Sequence, residues 1–220
     1  MLFSKERPYL ISLKSKDPEY NLAAEEYLFS QRRENFILLW RNSPCVIIGK
    51  NQIGSEEVSG EYLSRIPVLK RSTGGGAVYH DENNLNFSFI KNDCTVPSLL
   101  EYTEPIRSFL NSLSIETELS DTNDILLHGK KISGTASRTK NGRVLFHGTL
   151  LFRCDADTVN RVLTPTKTAY TKGVRSVKSR VGEICPYTDI KTAEEFELLL
   201  QNYLLRAENA RILNINCINL

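Results

Sequence analysis

The sequence predicts an α/β (α+β) domain, in which short strands and amphipathic helices are interleaved along one chain. Three stretches carry that reading. Asn141-Gly142 separates DILLHGKKISGTASRTK from RVLFHGTLLFR, and an Asn-Gly pair supplies the positive φ of a tight type I′ hairpin turn. LNFSFI alternates Leu85, Phe87 and Phe89 with Asn86 and Ser88, a period of two that predicts a strand with one buried face. Ile106, Phe109, Leu110 and Leu113 fall at i, i+3, i+4 and i+7, the stripe of a core-facing helix.

In chain order, Asp17-Pro18 reads as an N-cap with proline in the first turn, opening a helix through NLAAEEYLFSQRR. FILLW and PCVIIGK are short apolar runs that predict buried strands. A second helix is expected from Ser55, with Val58, Tyr62 and Ile66 on one face despite Gly60 inside it. PVLKRS and AVYHD follow as strands, then LNFSFI. Thr103-Glu104-Pro105 is the expected start of the next helix. Beyond the Asn-Gly hairpin, Thr192 and Glu195 make a capping box before Phe196, Leu199, Leu200, Tyr203 and Leu204, and ILNINCIN reads as an edge strand.

Composition narrows the classes. The chain has 220 residues, 40% hydrophobic and 25% charged, which suits one globular domain able to bury its own core without a disulfide or metal staple. Five cysteines, odd in number and never in C-x-x-C, argue against a disulfide framework or a zinc site and for a reducing, cytoplasmic compartment, or the mitochondrion in a eukaryote. No apolar run approaches membrane-spanning length, so no membrane partner is expected. Net charge is only +2, yet Arg161, Lys167, Lys172, Arg175, Lys178 and Arg180 occur without an intervening acid. Only Tyr170 interrupts that run as an aromatic, too little for a base-stacking platform, so nucleic acid is not the expected partner.

Two clusters carry chemistry. KRSTGGGAVYHD places Lys70 and Arg71 beside Gly74, Gly75 and Gly76. It lacks the G-K-[ST] ending of a P-loop and is not G-x-G-x-x-G, but successive N–H groups beside a cation can form an anion-binding concavity. The plainer alternative is a flexible loop with incidental charge. In NDILLHGKKISGTASR, strands pairing around His128-Gly129 would set Lys131, Ser133 and Thr135 on one face, with Gly134 leaving room for a ligand against the backbone. A surface hairpin with a solvated lysine is the alternative there. His80 and Asp81 are strand neighbours and cannot face one substrate together, so one of them is expected to be structural. His147 reads as a polar residue satisfied near the core, and three histidines without ligand spacing make no metal site.

With both clusters quoted, the chain resembles the lipoate protein ligase A and lipoyltransferase family. RSTGGGAVYHD followed by LNFSFI is similar to that family's glycine-rich loop and next strand, and NDILLHGKKISGTASR with FHGTLL to its lysine hairpin. WRNSPCVIIGKNQ and NLAAEEYLF match its opening segments, so the similarity runs over about residues 18 to 182. The resemblance implies a mixed, largely antiparallel central sheet flanked by helices, shared with biotin protein ligases and related to class II aminoacyl-tRNA synthetase cores. It implies ATP and Mg2+ as cofactors and lipoate as substrate, activated as lipoyl-AMP and transferred to a lysine of acidic lipoyl carrier domains (2-oxoacid dehydrogenase E2 subunits and glycine cleavage H protein). Carried over by residue, Arg71 would meet phosphate, and Gly74, Gly75, Gly76, Ala77, Val78 and Tyr79 would wrap the adenylate and acyl chain. Lys131 would be the catalytic cation bridging phosphate and carbonyl oxygens, with Gly134, Ala136 and Thr149 lining the adenylate. Asn123 and Asp124 would sit beside the adenylate, Asp124 as a magnesium contact.

The match departs in two places. Glu82-Asn83 stand where the family commonly has a glycine-bearing turn, and residues 1 to 220 are expected to form a single catalytic domain without the C-terminal accessory domain of many full ligases. That absence leaves room for a separate accessory chain, or for a lipoyl or octanoyl transferase that uses a preformed acyl donor without its own ATP step. Relatives that work through a cysteine thioester place it just before the lysine hairpin; here that stretch is ELSDTNDILL, with none.

Overall fold

The computed structural model describes residues 1–93, 96–121, 124–164, 174–176 and 180–215. Its elements in chain order are β1 (Tyr9–Ser12), α1 (Pro18–Gln31), β2 (Phe36–Trp40), β3 (Cys45–Ile48), α2 (Gly54–Glu57), α3 (Gly60–Leu63), β4 (Val68–Lys70), β5 (Val78–His80) and β6 (Asn84–Asn92). They continue with α4 (Leu99–Ser112), β7 (Glu118–Leu119), β8 (Asp124–Leu127), β9 (Lys130–Lys140), β10 (Arg143–Leu151), α5 (Ala156–Val162), α6 (Ala193–Ala207) and β11 (Arg211–Ile212). Eight strands form one sheet in the order β11-β1-β2-β6-β10-β9-β8-β7, and three form a smaller sheet in the order β4-β3-β5. In the large sheet only the β11-β1 and β1-β2 pairs are parallel.

The large sheet is buried on both faces, which explains its continuous apolar strands. In β2, Ile37 and Leu39 point into a core shared with Tyr102, Ile106 and Phe109 of α4 and Phe196, Leu200 and Leu204 of α6. Phe36, Leu38 and Trp40 point the other way, against Ala24, Leu28 and Phe29 of α1. The same holds in β6, where Asn84 through Ile90 are all buried. The expectation of one buried face there fails for a local reason: Asn86 and Ser88 are buried too, each with a hydrogen-bond partner. The small sheet has its own core of Val46, Ile48, Val58 and Val162.

Helix starts follow their caps. Asp17 accepts from Glu19 N at the start of α1, with Pro18 in the first turn, and Thr192 Oγ1 accepts from Glu195 N at α6. The Glu195 carboxylate reaches back one residue further than a capping box requires, to Lys191 N. Two expectations are corrected. α4 begins four residues before Thr103, capped by Ser98, and Pro105 lies inside it, because Thr103 turns its hydroxyl back to Leu99 O rather than forward. The helix expected from Ser55 through Ile66 is two single turns, since Val58 is extended and Gly60 opens a new turn behind Ser59. Asn141 and Gly142 have φ of 51° and 70°, the expected hairpin turn, and His128 and Gly129 repeat it with 49° and 70°. The edge strand expected from Ile212 is found as Arg211–Ile212 beside β1, with residues 216–220 outside the described set.

Candidate functional site

β4 delivers Arg71 to the glycine loop, and β5 carries the chain away from it. The Arg71 guanidinium is buried and turned onto the loop itself: Nε donates to Thr73 Oγ1 and Gly74 O, Nη2 to Gly74 O and Gly76 O, and Nη1 to Ile47 O. Burial lowers its pKa to about 10, against the pull of the Glu25 charge. Arg71 therefore organises the loop's carbonyls while also lining the larger cavity. Gly75, at φ +90°, is the one member of the run that requires glycine for its backbone. A residue that sequence reading passed over closes the loop from behind: a Cβ on Gly49 would stand 2.1 Å from Gly75 O, so only glycine fits there. Gln52 and Ser176 complete the frame, with Gly49 N donating to Gln52 Oε1 and Ala77 N to Ser176 Oγ.

Opposite the loop stands the lysine hairpin. Lys131 Nζ lies 2.9 Å from Asp124 Oδ1, and its backbone is clamped by Lys131 N to Arg180 O and Gly182 N to Lys131 O. A register shift in β8–β9 pairs Leu126 with Lys131 but Ile125 with Ser133, so Ile132 is an extra residue that enters the core. The bulge overturns the expected face. Gly134 and Ala136, not Ser133 and Thr135, share the side of Lys131: a Cβ on Gly134 would stand 2.7 Å from Lys131 Cε, whereas Thr135 lies beside the core-facing Gly148. Lys130 is exposed on the other side, as alternation requires.

Two buried histidines join the sheets. His147 of β10 places Nδ1 2.9 Å from Glu25 Oε1 and Nε2 2.8 Å from Thr73 Oγ1. Burial alone would push the Glu25 carboxyl up, but the His147 ring, the Ser88 hydroxyl and the Arg71 charge outweigh it and hold it below the usual value. His80 of β5 meets Asn42 Nδ2 at 3.0 Å and Thr149 Oγ1 at 3.2 Å, while Thr149 donates to Asn86 Oδ1. Burial first, then the Arg71 and His147 charges, press its pKa down to about 3, so it is a neutral ring. Asp81 accepts from Asn83 N in the turn after β5, so of this pair His80 alone looks into the site.

These walls enclose a cavity of about 360 Å³. Leu22, Ile47 and Trp40 give it apolar surface, and Arg71, Asn42, His80, His147, Asp124 and Lys131 give it polar groups. A second cavity of about 130 Å³ is lined by Tyr79, Leu151, Val159 and Leu163. Ala77, Val78, Lys131, Gly134, Thr149 and Ser176 line both. The structure thus brings together Arg71, Gly75, Gly76, Ala77, Val78, Asp124, Lys131, Gly134, Ala136 and Thr149 at one cavity and Tyr79 at its neighbour, while Asn123 lies outside the described residues. Gly74 stands behind, its carbonyl held by Arg71. Sequence reading missed Leu22, Glu25, Trp40, Asn42, Gly49 and Gln52. The available signals were the two matching opening segments, NLAAEEYLF with Leu22 and Glu25 and WRNSPCVIIGKNQ with Trp40, Asn42, Gly49 and Gln52, neither of which assigned these residues a place.

Among the described residues no group of three His, Cys, Asp or Glu side chains is placed to hold a metal, and Asp124 is the one carboxylate on the larger cavity. One carboxylate already paired to Lys131 does not fit a resident magnesium site. Of the described cysteines, none lines either cavity, and burial pushes Cys45 up to about 12 and Cys154 to about 11, away from thiolate chemistry. Lys167, Lys172 and Lys178 of the basic segment fall outside the described residues; Arg175 lines the larger cavity.

Residues 17–204 match the model of the lipoyl protein ligase A/B catalytic domain. The chain belongs to this family. Against lipoate-protein ligase LplJ of Bacillus subtilis it is 42% identical over 198 residues, covering 86% of this chain and 59% of that protein. The family member therefore spans under two thirds of such curated relatives. Among solved structures, P. falciparum LipL1 in complex with lipoate superposes with a TM-score of 0.80 at 26% identity, over 95% of this chain and 66% of that one. A lipoate-protein ligase A bound with ATP gives 0.79 at 26% identity, over 94% and 88%. The mixed, mostly antiparallel sheet flanked by helices is the lipoyl ligase catalytic fold expected from the sequence.

Proposed function

We propose that this chain carries the catalytic domain of a lipoate protein ligase. The carboxylate oxygen of lipoate attacks the α-phosphorus of ATP, the bond to the β-phosphate oxygen breaks, and pyrophosphate leaves. The ε-amine of a carrier-domain lysine then attacks the acyl carbon of lipoyl-AMP, the bond from that carbon to the oxygen bridging it to phosphorus breaks, AMP leaves with that oxygen and the amine sheds a proton. The observation that carries this reading is Lys131, a cation shared by two cavities with Ala77, Val78, Gly134 and Thr149. An acyl phosphoanhydride joins two unlike parts through the group where charge grows, and a fixed ammonium at such a junction stabilises that charge in both half reactions. The larger cavity, with Leu22, Ile47 and Trp40, suits the apolar acyl chain, and the smaller suits a flat base.

Magnesium enters as part of the MgATP substrate, with Asp124 offering at most one oxygen beside Lys131. Carrier domains of E2 and H-protein type are the proposed acceptors and the cytoplasm the proposed setting. The test is lipoate-dependent exchange of labelled pyrophosphate into ATP. Exchange is expected; its absence, together with transfer from synthetic lipoyl-AMP to a carrier, would replace the ligase by a transferase using a preformed donor. Neither activity, with a separate accessory chain supplied, would end the enzyme reading.

A further inference from the structure

We propose that Glu25 is a positioning residue: it sets the shape of the glycine loop through His147, Thr73 and Arg71 without lining the cavity. The inference rests on the ligase reading for its kinetic consequence. Glu25 is 2% exposed, on α1 behind the site, and lines neither cavity. Its carboxylate accepts from His147 Nδ1 and from the Ser88 hydroxyl, which fixes the ring. His147 Nε2 then meets Thr73 Oγ1, and Thr73 Oγ1 accepts from Arg71 Nε at 3.1 Å, leaving its own proton for the ring. The last link is the one that matters for a ligand. Arg71 draws Gly74 O and Gly76 O inward, and every peptide bond among the described residues is trans. In a trans peptide the N–H opposes the C=O, so the Gly75 N–H points away from the guanidinium, and the Ala77 N–H is directed onto Ser176 Oγ. Gly75 O is turned onto Gly49 in the same way, which directs the Gly76 N–H away from Gly49.

A buried acid, ring and guanidinium are a poor way to hold a helix. Desolvation offsets most of what such groups gain from each other, and α1 already packs Ala24, Leu28 and Phe29 into the core. What the chain does supply is a fixed orientation and a counter-charge for a buried cation, from outside the cavity, as partners behind a metal ligand do.

Glu25→Gln removes the charge at constant shape, and Thr73→Val cuts the chain two links later while leaving the Glu25-His147 pair intact. Both are expected to raise amide hydrogen exchange in the peptide over residues 72–77, with exchange in α1 and β10 unchanged. In pyrophosphate exchange each should lower kcat by roughly 10- to 100-fold, by analogy with outer-shell partners, while lipoate affinity holds within about threefold. The double variant should be no worse than the worse single, because both cut one chain. Unchanged loop exchange in the folded variants, or additive losses, would overturn the proposal. Should Glu25→Gln fail to fold, Thr73→Val decides alone on the same criterion. Hydrogen exchange needs no turnover, so a wild type inactive in pyrophosphate exchange would sink the ligase reading and leave this one standing or falling by the loop.

Discussion

At the scale of single residues, the site turns on one lysine and one glycine. Lys131 and Lys130 are adjacent, but only Lys131 reaches the cavities, where it pairs with Asp124. Lys131→Ala is expected to slow adenylate formation and carrier transfer by on the order of 10² to 10³, the loss seen when one preorganised donor is removed. Lys130→Ala should leave both within about twofold. Circular dichroism and a thermal melt serve as folding controls, and equal rates for the two variants would show that the ammonium takes no part. Arginine at 131 should rescue poorly, since a planar fork does not replace a compact charge beside Asp124 and Gly134. Gly49 is a different kind of position. A methyl group there would meet Gly75 O at 2.1 Å, so Gly49→Ala must displace the glycine loop. It is expected to cost about 1 to 3 kcal/mol in urea unfolding, the range for overpacking a tight site, and to abolish most pyrophosphate exchange.

Among elements, α6 offers a measurement with a clean mechanism. Thr192 Oγ1 accepts from Glu195 N at 3.1 Å, and the helix packs Phe196, Leu200 and Leu204 into the large core while none of its residues lines either cavity. Thr192→Ala should lower stability by about 1 kcal/mol with catalysis unchanged. That cap was legible in the sequence, as were α1, both Asn-Gly-type and His-Gly turns, and most strands, because each depends on neighbours within a few residues. What was not legible depends on partners distant in the chain. The break at Val58 and Ser59 follows from Ser59 N bonding to Val162 O, and the start of α4 at Ser98 precedes the Pro105 that looked like its first turn. The bulge at Ile132 is the instructive case. Strict alternation put Ser133 and Thr135 beside Lys131, but the core's demand for Ile132 shifted the phase and gave those places to Gly134 and Ala136. For Arg71, the neighbours in sequence suggest an anion ligand, and its second part, bracing the loop, is visible only when Ile47 O and Gly76 O are in view.

For the whole molecule, the two histidines link the small sheet to the large one: His80 of β5 bonds Thr149 of β10, and Thr73 in the loop after β4 bonds His147 of β10. That makes the union of the sheets sensitive to acid. His80 is pressed down to about 3 from 6.5 by burial, with Arg71 and His147 adding to it. Between those values the unfolded chain takes up a proton that the folded one refuses, so stability falls as pH drops below about 6.5, by at most about 1.4 kcal/mol per unit for one proton. Glu25 acts at lower pH. Its folded value lies below the ordinary 4.5, so its stabilisation is present above 4.5 and is lost as pH falls beneath that value. Urea midpoints at pH 7.5, 6, 5 and 4 should therefore decline in two stages, the first from His80 and the second joined by Glu25. His80→Gln keeps a hydrogen-bonding side chain that does not titrate, so it should flatten the first stage while the second persists. A wild-type midpoint that is constant from pH 7.5 to 5, or a first stage unaltered in His80→Gln, would show that this ring does not couple the sheets to the proton.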